Sequence, residues 1–340
     1  MRPIFVLAVA VGLVATAAQA DEPASPPVAA MVDDRVPIGE AQLPVFVSQD
    51  WSRPLPDIRR AVIVVHGYNR NAADYARNMM ALGPPADTLV VAPQFLAPED
   101  IAAHQLPDSV LRWDLENWED GNPALGPTAL SAFDGFDAIL AKLTDRTIFP
   151  NLSRIVLAGF SAGGQVVQRY AAVGKGENAI PFRYVVGSPG TYAYFGDERP
   201  LPDGAFGASA GIQCPDYNRW KFGFAGGLPP YASAATAKGI PALEHRYVAR
   251  DVVYLAGGDD TDPNHRLLNK TCAAEAQGPT RLARMQFFLA DMKQRDGVAF
   301  RQPMRIIPGV AHNEARVFGS PCGRAALFDE PGCAGEEEKK

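Results

Sequence analysis

The chain has 340 residues, 47% of them hydrophobic and 21% charged, which excludes wholesale disorder and suits one large α/β domain. The formal charge is −6, so the basic surplus of a nucleic-acid binder is missing. The 31 glycines and 30 prolines point to long, rigid loops.

The first 20 residues read as a signal peptide. Arg2 supplies the positive start, Ile4 to Val14 the apolar run, and Ala18-Gln19-Ala20 a small-x-small cleavage site before Asp21. The run is too short to span a bilayer comfortably and has no stop-transfer flank. No cysteine follows it to take a lipid. An exported protein, periplasmic or extracellular, is expected, with no membrane association once the signal is removed. Residues 21–50 read as a leader, and the Pro-, Ala- and Asp-rich stretch 21–40 as loose.

Six short apolar runs follow that suit strands covered on both faces: Ala61–Val65, Thr88–Ala92, Arg154–Ala158, Arg183–Val186, Asp251–Ala256 and Met304–Ile307. Between them the spacing predicts helices over Asn71–Leu82, Thr128–Leu143, Ala162–Ala172 and Pro279–Lys293. This alternation implies a mainly parallel central sheet with helices on both faces. The loop after Thr88–Ala92 carries Trp113 and Trp118, candidates for the wall of a substrate pocket or for plain loop packing. Residues 190–248 have no clean period and many aromatics. They read either as a lid or as an insertion packed on the sheet. The main domain is expected over 51–325, with a tail over 326–340 that frays at Glu336–Lys340.

Four cysteines in an exported chain suggest two disulfides, and three pairings are open. Proximity would join Cys322 to Cys333, and Cys214 would then join Cys272. A metal site is disfavoured, because no CxxC pair occurs and only five histidines are present.

The strongest chemical signal is Gly159-Phe160-Ser161-Ala162-Gly163, a G-x-S-x-G element between a strand and a helix. Such a tight turn pushes the serine hydroxyl above the sheet. A serine nucleophile needs a base and a group to orient it. The base belongs last in chain order, after the final strand, and His312 stands there in Ile-Pro-Gly-Val-Ala-His. The acid belongs after the preceding strand, in Gly257-Gly258-Asp259-Asp260-Thr261-Asp262. Asp260, three residues after Gly257, leads, with Asp262 and Asp259 as alternatives. His66-Gly67-Tyr68 follows the first apolar run; the backbone N–H groups of Tyr68 and Ala162 are the candidate oxyanion donors, with His66 as a brace.

Taken in order, AVIVVHGYN, GFSAGG, YLAGGDDTD and IPGVAHN resemble the α/β-hydrolase superfamily over roughly residues 55–320. The chain is similar, within it, to secreted serine esterases of the polyester-depolymerase and feruloyl-esterase type. The resemblance implies a Ser–Asp–His triad at the carboxyl ends of the strands, cleaving a small-molecule or polymer ester without cofactor or metal. A peptidase of the same fold and a non-catalytic binding protein on a hydrolase scaffold are the alternatives. The acyl and alcohol groups and the oligomeric state are open at this point.

Overall fold

The computed structural model describes residues 26–175, 180–208 and 214–333. The signal peptide and Glu336–Lys340 lie outside the described residues.

The first departure from expectation is in the leader. Asp34–Ile38 (β1) and Ala41–Val47 (β2) form a hairpin, turned at Gly39 with a φ of +61°. Val36, Leu43 and Val45 are buried, and β2 joins the main sheet through β4. Residues ahead of the hairpin are fixed too. Val28 packs on Leu96 and Val110, and its N–H donates to Asp100 at 2.8 Å. Asp100 is also held by the buried Arg70 guanidinium at 2.7 Å. Burial of apolar residues outweighs the loose composition.

The remaining elements are Arg60–Val65 (β3), Ala72–Ala81 (α1), Thr88–Pro93 (β4), Pro98–Ala103 (α2), Ala132–Leu143 (α3), Arg154–Phe160 (β5), Ala162–Val173 (α4) and Phe182–Gly187 (β6). Next come Arg199–Pro200 (β7), Phe206–Gly207 (β8), Pro230–Ala235 (α5), Ile240–Val248 (α6) and Asp251–Gly257 (β9). Cys272–Glu275 (α7), Arg281–Asp296 (α8), Met304–Ile307 (β10), Glu314–Gly319 (α9) and Pro321–Phe328 (α10) complete the chain. The main sheet has eight strands in the order β1-β2-β4-β3-β5-β6-β9-β10. From β4 to β10 every pairing is parallel; β1 and β2 run antiparallel at one edge.

Alternate residues of each central strand feed separate cores, as the pleat requires. Ala61, Ile63 and Val65 face the core that receives Phe133 and Phe136 of α3, Val166 and Tyr170 of α4, and Met285 and Phe288 of α8. Val62 and Val64 face the other, with Tyr75 and Met79 of α1 and Phe318 of α9. The helix expected from Thr128 starts later, because Ser131 and Asp134 form a capping box: Ser131 Oγ accepts from Phe133 N, and Asp134 accepts from Ser131 N.

The described residues of the segment 190–248 include aromatics packed into the core. Tyr192 stacks on Phe288 with centroids 4.7 Å apart, and Tyr192 and Tyr194 are wholly buried. Buried Arg199 donates to the carbonyls of Gly196, Glu198, Tyr217 and Phe222 and to Asn218 Oδ1. For these aromatics the packed-insertion reading replaces the lid, since a movable lid keeps little buried apolar surface. Cys214–Cys272 and Cys322–Cys333 are the two disulfides. Among the described residues no helix is long and apolar enough to cross a membrane.

Candidate active site

β5 ends at Phe160 and α4 begins at Ala162, so Ser161 alone makes the turn. Its φ of +59° and ψ of −119° lie where a side chain is strained. Close packing holds it there. A β-carbon on Gly159 would lie 2.2 Å from Gly163 O, and one on Gly163 would lie 2.4 Å from Val65 O. The N-terminus of α4, with its unpaired N–H groups and positive dipole end, therefore sits beside the end of β3.

The loops after β9 and β10 bring a carboxylate and an imidazole together. Asp260 N donates to Gly257 O, and its carboxyl is buried. His312 Nδ1 donates to Asp260 Oδ2 at 2.8 Å, which leaves Nε2 as the basic nitrogen. His312 packs on Phe160, the residue before Ser161, with ring centroids 4.7 Å apart. Burial pushes the His312 pKa below the ordinary imidazole value; the Asp260 bond opposes this and nearby Arg281 adds to it. The ring is thus neutral at neutral pH and able to accept a proton. Asp259 and Asp262 are exposed, and Asp262 Oδ1 caps Asn264 N at 2.8 Å.

His66 is fully buried with both nitrogens engaged. Nδ1 donates to Gly67 O at 2.8 Å and Nε2 accepts from Phe95 N at 3.0 Å. Burial pushes its pKa down to about 4, so it stays neutral and braces the loop. That loop passes the nucleophile: a β-carbon on Gly67 would lie 3.7 Å from Ser161 Cβ. Tyr68, half-buried, follows Gly67, and Ala162, the residue after the serine, opens α4.

Trp113 and Trp118 do not wall a pocket. Both are wholly buried, and a side chain without accessible surface has none to offer a substrate. Trp118 lies against His66 at 4.7 Å and stacks on Phe95 at 5.2 Å, so it supports the His-Gly loop from behind. His104 holds Val28 O.

Several residues that the sequence does not single out adjoin the site. Gln165, one turn beyond Ser161, donates to Glu119 Oε2 at 2.7 Å and accepts from Thr191 Oγ1 at 2.6 Å. Lys221 approaches Glu116, Glu119 and Asp120 at 2.9, 3.5 and 3.2 Å. Glu314, two residues past His312, accepts from Asn78 Nδ2 at 2.9 Å. These partners are far apart in sequence, so no local pattern announces them.

Burial pushes the Glu314 carboxyl up to about 7. A raised carboxyl contributes full stability below its unfolded pKa of 4.5 and loses it as pH rises through 7. Glu314→Gln keeps an acceptor for Asn78 and removes the charge. It is expected to stabilise the fold by about 2 kcal/mol at pH 8 and hardly at all at pH 4. Urea unfolding at both pH values measures this; equal gains at both would overturn it.

No family profile matches the chain, and no curated protein matches it. Solved structures do. The chain is similar to poly(aspartic acid) hydrolase-1 from Sphingomonas sp. KT-1, with 20% identity and a TM-score of 0.60, covering 90% of this chain and all of that one. It is also similar to LpqC, a poly(3-hydroxybutyrate) depolymerase from Bordetella parapertussis, with 22% identity and a TM-score of 0.57, covering 86% and 87%. With the sheet order above, these likenesses show the α/β-hydrolase fold.

Proposed function

We propose that the chain is an exported serine hydrolase that cleaves a carboxylic ester through Ser161, His312 and Asp260. One observation carries the reading. A strained serine at a strand-to-helix elbow shares the carboxyl end of the sheet with a half-buried imidazole whose Nδ1 is held by a buried carboxylate. Export rests on the sequence of the first 20 residues and is supported by the two disulfides.

The roles follow from the geometry. His312 Nε2 takes the Ser161 proton as Oγ attacks the acyl carbonyl. Asp260 stabilises the imidazolium through Nδ1–H. The N–H groups of Tyr68 and Ala162 receive the negative charge on the carbonyl oxygen. His312 then protonates the leaving alcohol, and an acyl-Ser161 ester remains. Water repeats the sequence with the same base, releasing the acid and restoring the hydroxyl. Neither a metal nor a cofactor takes part in these steps.

The substrate is a small-molecule or polymer ester. Amide cleavage by the same residues is the second reading, supported by the likeness to a hydrolase of poly(aspartic acid), a polyamide. The test is a panel of p-nitrophenyl esters of rising acyl length beside aminoacyl p-nitroanilides, with purified mature protein. Ester turnover is expected, and Ser161→Ala is expected to lower it by about 10⁴-fold or more. Preference for the anilides would move the peptidase ahead. Silence on both, with no fluorophosphonate label on Ser161, would leave the non-catalytic binding protein.

A further inference from the structure

Beyond the three residues of the proposed mechanism, the acid carries a second partner. Asp260 Oδ2 accepts the hydrogen bond from His312 Nδ1–H, and Oδ1 faces the Arg281 guanidinium, with Nη1 at 3.8 Å. Arg281 opens α8 and is 1% exposed. The same helix start is tied to the acid loop by Leu282 N, which donates to Asp260 O at 3.2 Å. The cation has a fixed aim. Arg281 Nη2 donates to Leu267 O at 2.9 Å and to His265 Nδ1 at 3.2 Å. His265 Nδ1 also accepts from Leu267 N at 3.2 Å, so it has no room for a proton of its own and the ring stays neutral. That ring stands edge-on to His312 with centroids 5.3 Å apart. A buried arginine is costly unless something requires its charge. Here it faces the one carboxylate that orients the base.

We propose that Arg281 is a positioning residue that acts through Asp260. Its guanidinium fixes the carboxylate with one oxygen on His312, and its charge opposes protonation of His312, so the base stays free at mildly acidic pH. The inference rests on the Ser161–His312–Asp260 reading. The charged and titratable groups around His312 are Asp260 after β9, His265 in the loop beyond it, and Arg281 on α8. Asp262 acts on His265, and Glu314 on α9 is engaged by Asn78. Phe160 of β5 adds only an apolar face. Burial is the largest cause of the lowered basicity of the ring; among the charges, Asp260 favours the imidazolium and Arg281 opposes it.

The sign of the effect is fixed. Removing a cation makes protonation of His312 easier, so the acid limb of kcat/KM moves to higher pH. Arg281→Met is expected to raise that limb by about one pH unit. Arg281→Lys keeps the charge and loses the fork. Its limb is expected to stay at the wild-type position while kcat falls. A merely structural role would lower the rate in both variants without separating their pH profiles. A folded Arg281→Met enzyme with the wild-type limb would overturn the proposal.

The imidazole itself gives a second readout that needs no turnover. The Cε1–H signal of His312, titrated by NMR, is expected to report a pKa about one unit higher in Arg281→Met than in the wild type and unchanged in Arg281→Lys. Should Arg281→Met fail to fold, Arg281→Gln takes its place, and a neutral variant with the wild-type value would overturn the proposal. Retained activity in Ser161→Ala would instead sink the hydrolase reading, and the NMR titration would still judge Arg281.

Discussion

Asp260→Asn is expected to yield a folded, disulfide-bonded protein whose kcat on esters falls by about 10⁴-fold. The reason is one proton. In the native site His312 Nδ1–H points at Asp260 Oδ2, which leaves Nε2 free to accept from Ser161. An asparagine amide can donate to Nδ1, and the imidazole then carries its proton on Nε2, the wrong nitrogen for a base. The imidazolium formed during reaction also loses its counter-charge. Arg281 loses the carboxylate at 3.8 Å, so a stability loss of about 1–3 kcal/mol is expected beside the kinetic one. Assays must therefore run well below the unfolding midpoint. Asp259→Asn and Asp262→Asn supply the controls. Both carboxylates are exposed, and both variants are expected to keep activity close to wild type. If Asp260→Asn keeps a tenth of the rate while Asp262→Asn loses most of it, the acid has been misassigned.

That contrast also marks which parts of the site are legible in the sequence. Asp260 is legible because its turn is local: its N–H reaches back three residues to Gly257 O. Its partner His312 lies 52 residues on, and only the order of motifs connects them. The parallel strands are legible because both faces are covered. Val62 and Val64 enter one core and Ile63 and Val65 the other, so the sequence shows an unbroken apolar run. β1 and β2 defeat this logic. In β1 only Val36 is buried, and Pro37 and Pro44 interrupt the runs, a pattern strands tolerate near a sheet edge. Trp113 and Trp118 fail for another reason. An aromatic in a loop has the same letters whether it lines a cavity or fills one, and only burial separates the two cases. Arg281, Glu314 and Glu119 were out of reach because each is defined by a buried charge and a distant partner.

One constraint on the site comes down to a single hydrogen atom. Gly163→Ala is expected to destabilise the protein by about 3–5 kcal/mol and to lower kcat/KM by at least about 10²-fold. The added methyl would stand 2.4 Å from Val65 O and 2.5 Å from His66 O. Both are backbone atoms, so no rotamer change relieves the clash. Either β3 or the N-terminus of α4 must shift, and the two carry different halves of the proposed oxyanion site. Tyr68 follows β3, whereas Ala162 opens α4. Their spacing is set by the bare Cα of Gly163 against the chain at Val65 and His66. A shift of about 1 Å leaves both N–H groups present and aims neither at the same oxygen, so rate is lost even in molecules that fold. Gly190→Ala is the matched control. Its methyl would come no closer than 3.4 Å, to Gln165 Oε1, an ordinary contact. Urea unfolding and ester kinetics on the pair separate the two effects. A stable Gly163→Ala protein with full kcat/KM would show that the spacing of the two donors is not set at this contact.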